Sequence, residues 1–293
     1  MSFSQEISRI TADVEKVLEE MLPKGRWDDD PSSVGRYSSL NKGKRLRPFL
    51  TVQSAGLFDT PYEQSLRAGT CIEMLHNFSL IHDDLPCIDN DKLRNGRPSA
   101  WAQYGYWQAV LGGDGLLNWP YHVLATDEKI SADPAVRLEL IRILSEASHG
   151  MLLGEYMDTE SETGRFHAIS DIDEIQILKT GQIFLACTMF GATLGHADEA
   201  SRAALQKFTQ PMGLCFQVTD DILDAIGDEE KVGKTLRKDA ACNKANYILL
   251  YGVDGARKKA AEFATEAKDA LSIFDHRADG LRELMDYMPT RES

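Results

Sequence analysis

The sequence predicts an all-α protein, and three observations carry that prediction. Apolar residues recur at steps of three and four along most of the chain, no stretch alternates polar and β-branched residues between hairpin signals, and no proline falls between Pro134 and Pro211. Ser4, read as an N-cap, opens a helix to Met21 whose Ile7, Ile10, Val14, Val17, Leu18 and Met21 form one stripe. Turn chemistry interrupts the chain at Pro23 to Pro31, Asp59-Thr60-Pro61, Asn95-Gly96-Arg97-Pro98 and Asp133-Pro134. Cys71 to Ile81 is an apolar helical run, and Pro120 should kink the helical segment LLNWPYHVLA. Beyond Pro134, long helices are expected with joints at Gly150, Gly164 and Gly195. One of them runs from an N-cap at Asp171 to Leu194, with Ile172, Ile175, Leu178, Ile183, Ala186 and Phe190 on its stripe.

Composition narrows the function. Lys and Arg number 32 against 46 Asp and Glu, a net charge of −14 over 293 residues, which argues against a nucleic-acid binder. The 43% of apolar residues suffices for a full core. No break is long enough to be a linker, so residues 1–293 are expected to form one domain. Cys71, Cys87, Cys187, Cys215 and Cys242 are odd in number and lack any CxxC pair, which speaks against a disulfide framework or structural zinc and fits a reducing cytosol. The opening MSFSQEISRI has no apolar signal core, and no uncharged apolar run approaches the roughly 18 residues of a membrane span. A soluble cytoplasmic protein with no stable membrane association is expected. Arg257-Lys258-Lys259 reads as a solvated helix face.

Two acidic clusters hold the chemistry. HDDLPCIDND places Asp83, Asp84 and Asp89 at the end of an apolar run, and FQVTDDILD places Asp220, Asp221 and Asp224 in another. On a helix Asp224 lies near both Asp220 and Asp221, with Gln217 a turn earlier. Like charges about 4 Å apart repel by roughly 4 kcal/mol at an effective dielectric near 20, so the group calls for a cation. One such cluster alone reads as a solvated helix end. Two clusters, each within an apolar helix, favour Mg²⁺, the cation that hard oxygen donors select and that bridges to phosphates. Basic residues alternate with them: Lys44, Arg45 and Arg47 in GKRLRP, Arg94 in LRNGRPS, Lys179 in KTG, Lys234 in GKT and Lys244 in NKANY. A diphosphate held between Mg²⁺ and basic side chains explains both sets together.

At these residues the sequence resembles the trans-isoprenyl diphosphate synthases, the polyprenyl synthetase family. The resemblance runs from about Leu40 to about Gly252, in the family's order: GKRLRP, HDDLPCID, LRNGRPS, GMLLGE, KTG, FQVTDDILD, GDEEKVGKT and NKANY. It implies a large antiparallel helix bundle around a deep central cavity, a homodimer, and head-to-tail condensation of isopentenyl diphosphate with an allylic diphosphate. By position it implies that Asp83, Asp84, Asp89, Asp220, Asp221 and Asp224 hold three Mg²⁺ ions. Arg94, Lys179 and Lys234 would hold the allylic diphosphate, and Lys44, Arg47 and His76 the isopentenyl diphosphate. Lys244, in the last of these motifs, is a further substrate-binding candidate. Thr180 and Gln217, with the Lys179 carbonyl, suit the stabilisation of an allylic cation.

The chain also departs from the family pattern. Asn95 occupies the place of an arginine that binds isopentenyl diphosphate. Trp101 stands where His is frequent, Tyr106 where Glu is, Glu155 where Gln is, Arg237 where Gly is, Ile248 where Pro is, and Asn90 where an additional Asp is common. The altered acceptor half keeps open a second reading, a terpene-synthase-like lyase that ionises a prenyl diphosphate; retained Lys44, Arg47 and His76 favour the prenyltransferase. A third, a non-catalytic partner subunit, sits badly with the intact aspartates and Lys179. Trp107, Trp119 and Tyr121 read as core packing ahead of a cavity wall, and His82 and His149 as packing or capping residues. Phe78 and Ser79 precede Asp83 by five and four residues, with Leu75 a turn further back, so they are the candidate floor for chain length. An aromatic upstream of DDxxxxD is similar to bacterial farnesyl diphosphate synthases, so a C15 product is expected, ahead of C10 and C20.

Overall fold

The computed structural model describes residues 2–161, 163–166, 168–226 and 246–291. The helices are α1 (Phe3–Met21), α2 (Pro31–Ser39), α3 (Leu46–Gly56), α4 (Tyr62–Asp83), α5 (Ala100–Tyr104), α6 (Tyr106–Thr126) and α7 (Pro134–Ser161). They continue as α8 (Ile169–Gln176), a π-helical turn (Ile177–Gly181), α9 (Gln182–Leu194), α10 (Glu199–Ile226), α11 (Tyr247–Ala270) and α12 (Asp279–Tyr287). The only strand pairing among the described residues is a minimal hairpin, β1 (Leu93–Arg94) with β2 (Arg97–Pro98), so the all-α expectation is met.

Local chemistry explains where these helices start. Ser2, not Ser4, caps α1: its Oγ accepts from Gln5 N at 3.3 Å while Gln5 Oε1 accepts from Ser2 N at 3.0 Å, a reciprocal box that leaves Ser4 inside the first turn. Asp30 caps α2 by accepting from Ser33 N at 2.9 Å, with Pro31 in the first turn where its missing N–H costs nothing. Asp171 is likewise not an N-cap. α8 begins two residues earlier, and the Asp171 carboxylate reaches back to accept from Ala168 N at 3.0 Å.

Gly150 is not a joint either, because α7 passes through it uninterrupted. A Cβ there would come within 2.7 Å of Gln182 Cγ, so the glycine serves a close helix crossing. Gly164, with φ 91°, and Gly195 do separate helices as expected. α6 and α10 continue through Pro120 and Pro211.

α4 is buried along most of its length and packs against α1, α3, α6 and α9; α9 packs in turn on α3, α7 and α10, and α11 covers α10. The stretch Ser170–Leu194 is long and apolar enough to cross a bilayer, but 61% of its most apolar window is buried within the bundle, as befits a core helix. Trp119 and Tyr121 pack as expected, donating to the Met21 and Leu144 carbonyls at 2.8 and 3.5 Å. Trp107 instead is 62% exposed, neither core nor cavity wall, because it lies on the outer face of α6.

One close approach sets the position of the π-turn. A Cβ on Gly154 of α7 would lie 2.2 Å from Lys179 N and 2.6 Å from Lys179 Cα, so only glycine lets the helix meet the turn backbone. Gly154→Ala should therefore cost about 1–3 kcal/mol in urea unfolding although alanine is the better helix former. An unchanged unfolding midpoint would show that α7 and the turn are not in contact.

Candidate active site

The first acidic cluster closes α4. Asp83 is the last residue of the helix and Asp84 its C-cap, and Asp89 folds back to donate its N–H to the Asp83 carbonyl at 2.9 Å. Carboxylates at a helix C-terminus face the negative end of its dipole. Cations answer that charge: Arg94 on β1 pairs with Asp84 through both Nε and Nη2. The second cluster lies in the last two turns of α10. Asp221 accepts from Gln217 Nε2 at 3.1 Å and from Tyr247 N at 3.0 Å, while Asp220 pairs with Arg291.

Two adjoining cavities lie between these helix ends. The first, about 360 Å³, is lined by Lys44, Arg47, His76, Asp84, Arg94, Asn95, Asp220 and Arg291 among others. The second, about 300 Å³, is lined by Asp83, Glu155, Lys179, Thr180, Gln217 and Asp220, with Phe78, Ser79, Met151 and Ile183. Arg47, His76, Leu80, Phe216 and Asp220 belong to both walls. Leu75, fully buried, lines neither, so it is core behind Phe78 and not an exposed floor. Asp89, Asp221 and Asp224 do not line these cavities, and Lys234, Arg237 and Lys244 lie outside the described residues.

The first cavity is held open by a buried ion pair. Arg45 takes a left-handed backbone (φ 50°) ahead of α3 and donates to Glu73 of α4 at 2.8 Å and to the Ser39 and Asn41 carbonyls at 2.8 and 2.6 Å. Both partners are nearly inaccessible, at 2% and 5% side-chain exposure, so this pair anchors the loop whose flanking Lys44 and Arg47 face the cavity. Burial, with Arg291 nearby, lowers Lys44 to about 8. Burial and then Arg47 push His76 well below the usual imidazole range, leaving it neutral at pH 7. Asn95 sits at φ 51° in the β1–β2 turn, followed by Gly96 at φ 74°, and donates to the Lys42 carbonyl at 2.7 Å. Asn-Gly is the pair that such a two-residue turn prefers, which accounts locally for an asparagine there.

The second cavity is dominated by Lys179. The π-turn carries it and Thr180, with Gln182 N donating to the Ile177 carbonyl in place of the α-helical pattern. Its Nζ lies 2.5 Å from Glu155 and 2.6 Å from Asp158, two residues three apart on α7. Burial opposes the lysine's charge, but Asp158 and Glu155 outweigh it and hold the ammonium well above its ordinary range. Burial raises Asp83 well above the usual carboxylate range, and the negative Glu155 adds to it. Thr180 Oγ1 lies 3.5 Å from Gln217 Oε1, joining the turn to α10. His82 behaves as a packing residue, with Nε2 3.1 Å from the Val110 carbonyl and its ring against Phe78.

Two groups escaped sequence reasoning. Asp158 was findable, since its spacing from Glu155 puts both on one face of α7. Arg291 carried no local signal: it reaches the site from the C-terminal segment, stacking 4.5 Å over Phe216. The donor set suits Mg²⁺. Hard carboxylates stand at two helix ends and burial raises Asp83 above the usual carboxylate range, though among the described residues no group of three or more His, Cys, Asp or Glu is placed to hold a metal ion.

Comparison with known proteins agrees with the geometry. Residues 32–278 match the family model for polyprenyl synthetase. The chain is 36% identical to a geranylgeranyl diphosphate synthase of Cyanophora paradoxa, over 96% of this chain and 93% of that one. It is 33% identical to the farnesyl diphosphate synthase of Bacillus subtilis over 99% of both. The crystal structure of an FPP/GFPP synthase from Zymomonas mobilis superimposes with a TM-score of 0.88, at 36% identity and 98% coverage of both chains. With most of its length matched by the family model and full-length relatives above 30% identity, this chain belongs to the polyprenyl synthetase family and is a trans-prenyl diphosphate synthase of the farnesyl and geranylgeranyl type.

Proposed function

We propose that the protein condenses isopentenyl diphosphate with an allylic diphosphate in a Mg²⁺-dependent, head-to-tail reaction whose main product is C15. The observation that carries this reading is the shared wall: a cation-lined cavity and a carboxylate-and-lysine cavity meet at Arg47, His76, Leu80, Phe216 and Asp220. Lys44, Arg47 and His76 hold isopentenyl diphosphate in the first, with Arg291 adding the positive charge that Asn95 does not supply. Lys179 holds the allylic diphosphate at the second, with Arg94 contributing from the wall of the first, and the prenyl tail points toward Phe78. Lys234 and Lys244, outside the described residues, complete the substrate-binding set.

Asp83, Asp84, Asp89, Asp220, Asp221 and Asp224 would hold the Mg²⁺ ions, which supply Lewis-acid stabilisation of the charge growing on the leaving diphosphate. Lys179 adds a fixed positive charge at the same oxygens, stronger in the transition state than in the ground state. As the allylic C–O bond breaks, Thr180 and Gln217 direct oxygen dipoles at the cation without attacking it. The isopentenyl double bond then forms the new C–C bond, and a proton passes to the released diphosphate. A homodimer is part of this reading: α6 and α7 expose Trp107, Leu111, Leu153 and Tyr156, apolar side chains that a second copy would cover, and sedimentation would read it as twice 32.7 kDa. The single domain and the cytoplasmic setting expected from the sequence are part of the same reading.

The direct experiment incubates the protein with Mg²⁺, labelled isopentenyl diphosphate and each allylic primer in turn. C15 product is expected, excess chelator should abolish it, and Asp83→Ala should lower turnover by orders of magnitude with helicity unchanged. Turnover persisting in chelator would sink the mechanism. In the same assay Phe78→Ala should lengthen the product, and an unaltered product would place the floor elsewhere.

Acceptor binding should depend on pH through Lys44. Because its ammonium is lowered to about 8, the free enzyme loses that charge as pH rises through 8 instead of near 10. The kcat/KM for isopentenyl diphosphate should therefore fall above pH 8, and Lys44→Arg, which stays charged, should flatten that limb. A constant KM from pH 7 to 9 in the parent enzyme would remove Lys44 from the diphosphate site.

A further inference from the structure

Phe78 does not stand by itself in the wall of the second cavity. His82, one helical turn further along α4, lines the same cavity and sets its ring edge-on to Phe78, with centroids 4.8 Å apart and planes at 72°. The far edge of the imidazole meets the backbone of α6. A Cβ on Gly113 would lie 2.2 Å from His82 Nε2 and 2.3 Å from its Cδ2, far inside van der Waals contact, so the ring occupies space that only a glycine leaves open. His82 Nε2 also lies 3.1 Å from the Val110 carbonyl, which can only accept, so that nitrogen carries the proton. Asp114 Oδ1, at 3.9 Å, is beyond hydrogen-bond reach. The ring is therefore held between Phe78 and a neighbouring helix by packing and by one hydrogen bond.

We propose that His82 and Gly113 set the depth of the prenyl cavity: His82 is a positioning residue that holds Phe78 in place, and Gly113 fixes how closely the imidazole approaches α6. The inference rests on the reading of Phe78 as the chain-length floor. Rings in a close-packed interior move only into room left for them, so shortening the side chain at position 82 frees Phe78 to swing toward α6 and deepens the cavity. A methyl group at position 113 acts in the opposite sense, because it drives the imidazole off α6 and into the cavity it lines. Product length thus answers to a residue on another helix, which no spacing from the aspartates reveals.

The test supplies Mg²⁺, dimethylallyl diphosphate and labelled isopentenyl diphosphate to the full chain and compares the product distribution of each variant with that of the parent. His82→Ala should raise the share of product one isoprene unit longer than the parent's main product by roughly tenfold, and Gly113→Ala should raise the share one unit shorter by a similar factor. Because His82 acts through Phe78, adding His82→Ala to Phe78→Ala should lengthen the product no further than Phe78→Ala does. That comparison decides the matter even where Gly113→Ala folds poorly. Shifts of the two single variants in the same direction, or no shift in His82→Ala while Phe78→Ala lengthens the product, would overturn this inference and leave the floor standing. Further lengthening in the double variant would make His82 a floor of its own and overturn the positioning role. An unaltered product in Phe78→Ala would overturn the floor, and this inference with it.

Discussion

Carboxylates gathered at the C-terminal ends of two buried helices are the constraint on which the rest of this molecule depends. Asp83 and Asp84 end α4, and Asp220, Asp221 and Asp224 occupy the last turns of α10. Burial and the negative Glu155 disfavour the charge on Asp83, and the helix dipole opposes carboxylates at both ends. The chain meets this charge with its own donors: Arg94 at Asp84, Arg291 at Asp220, and Gln217 with the Tyr247 backbone at Asp221. A cluster so arranged has its negative charge met by the protein's own donors. On the proposed function, binding a cation and diphosphate would exchange one set of opposite charges for another instead of creating charge in an apolar interior.

The second structural requirement is placement of the cations. Arg45 and Glu73, sealed from water, fix the loop that aims Lys44 and Arg47. Gly154 lets α7 touch the π-turn, which brings Lys179 between Glu155 and Asp158. Removing one partner of a buried pair leaves the other charge uncompensated, so these supports are as sensitive as the residues they orient. The glutamate at 155 gives Lys179 a second anionic partner. Between them, Glu155 and Asp158 balance the lysine's charge.

Local pattern made most helices legible. The stripe of α1 and the breaks at Gly164 and Gly195 follow from spacing and turn chemistry, the two caps were misplaced by two and three residues, and the helix expected from Asp171 to Leu194 is divided by the π-turn. Gly150 was misread because a glycine required by a helix crossing looks, in sequence, the same as one that ends a helix. The motifs around Lys44, Asp83, Lys179 and Asp220 were visible because the chemistry needs those residue types at fixed short spacings.

By itself, then, the sequence determined the helical class, the family and the residue types of the site, since each is written in contacts of fewer than eight positions. Only the tertiary structure decided that two cavities share Arg47, His76 and Asp220, that Asp158 joins Glu155 on Lys179, and that Arg291 reaches back 71 positions to Asp220. It likewise put Leu75 behind Phe78 and Trp107 on the outside. Those outcomes depend on how whole helices cross, and crossing is set by the sum of many buried contacts that no local spacing encodes.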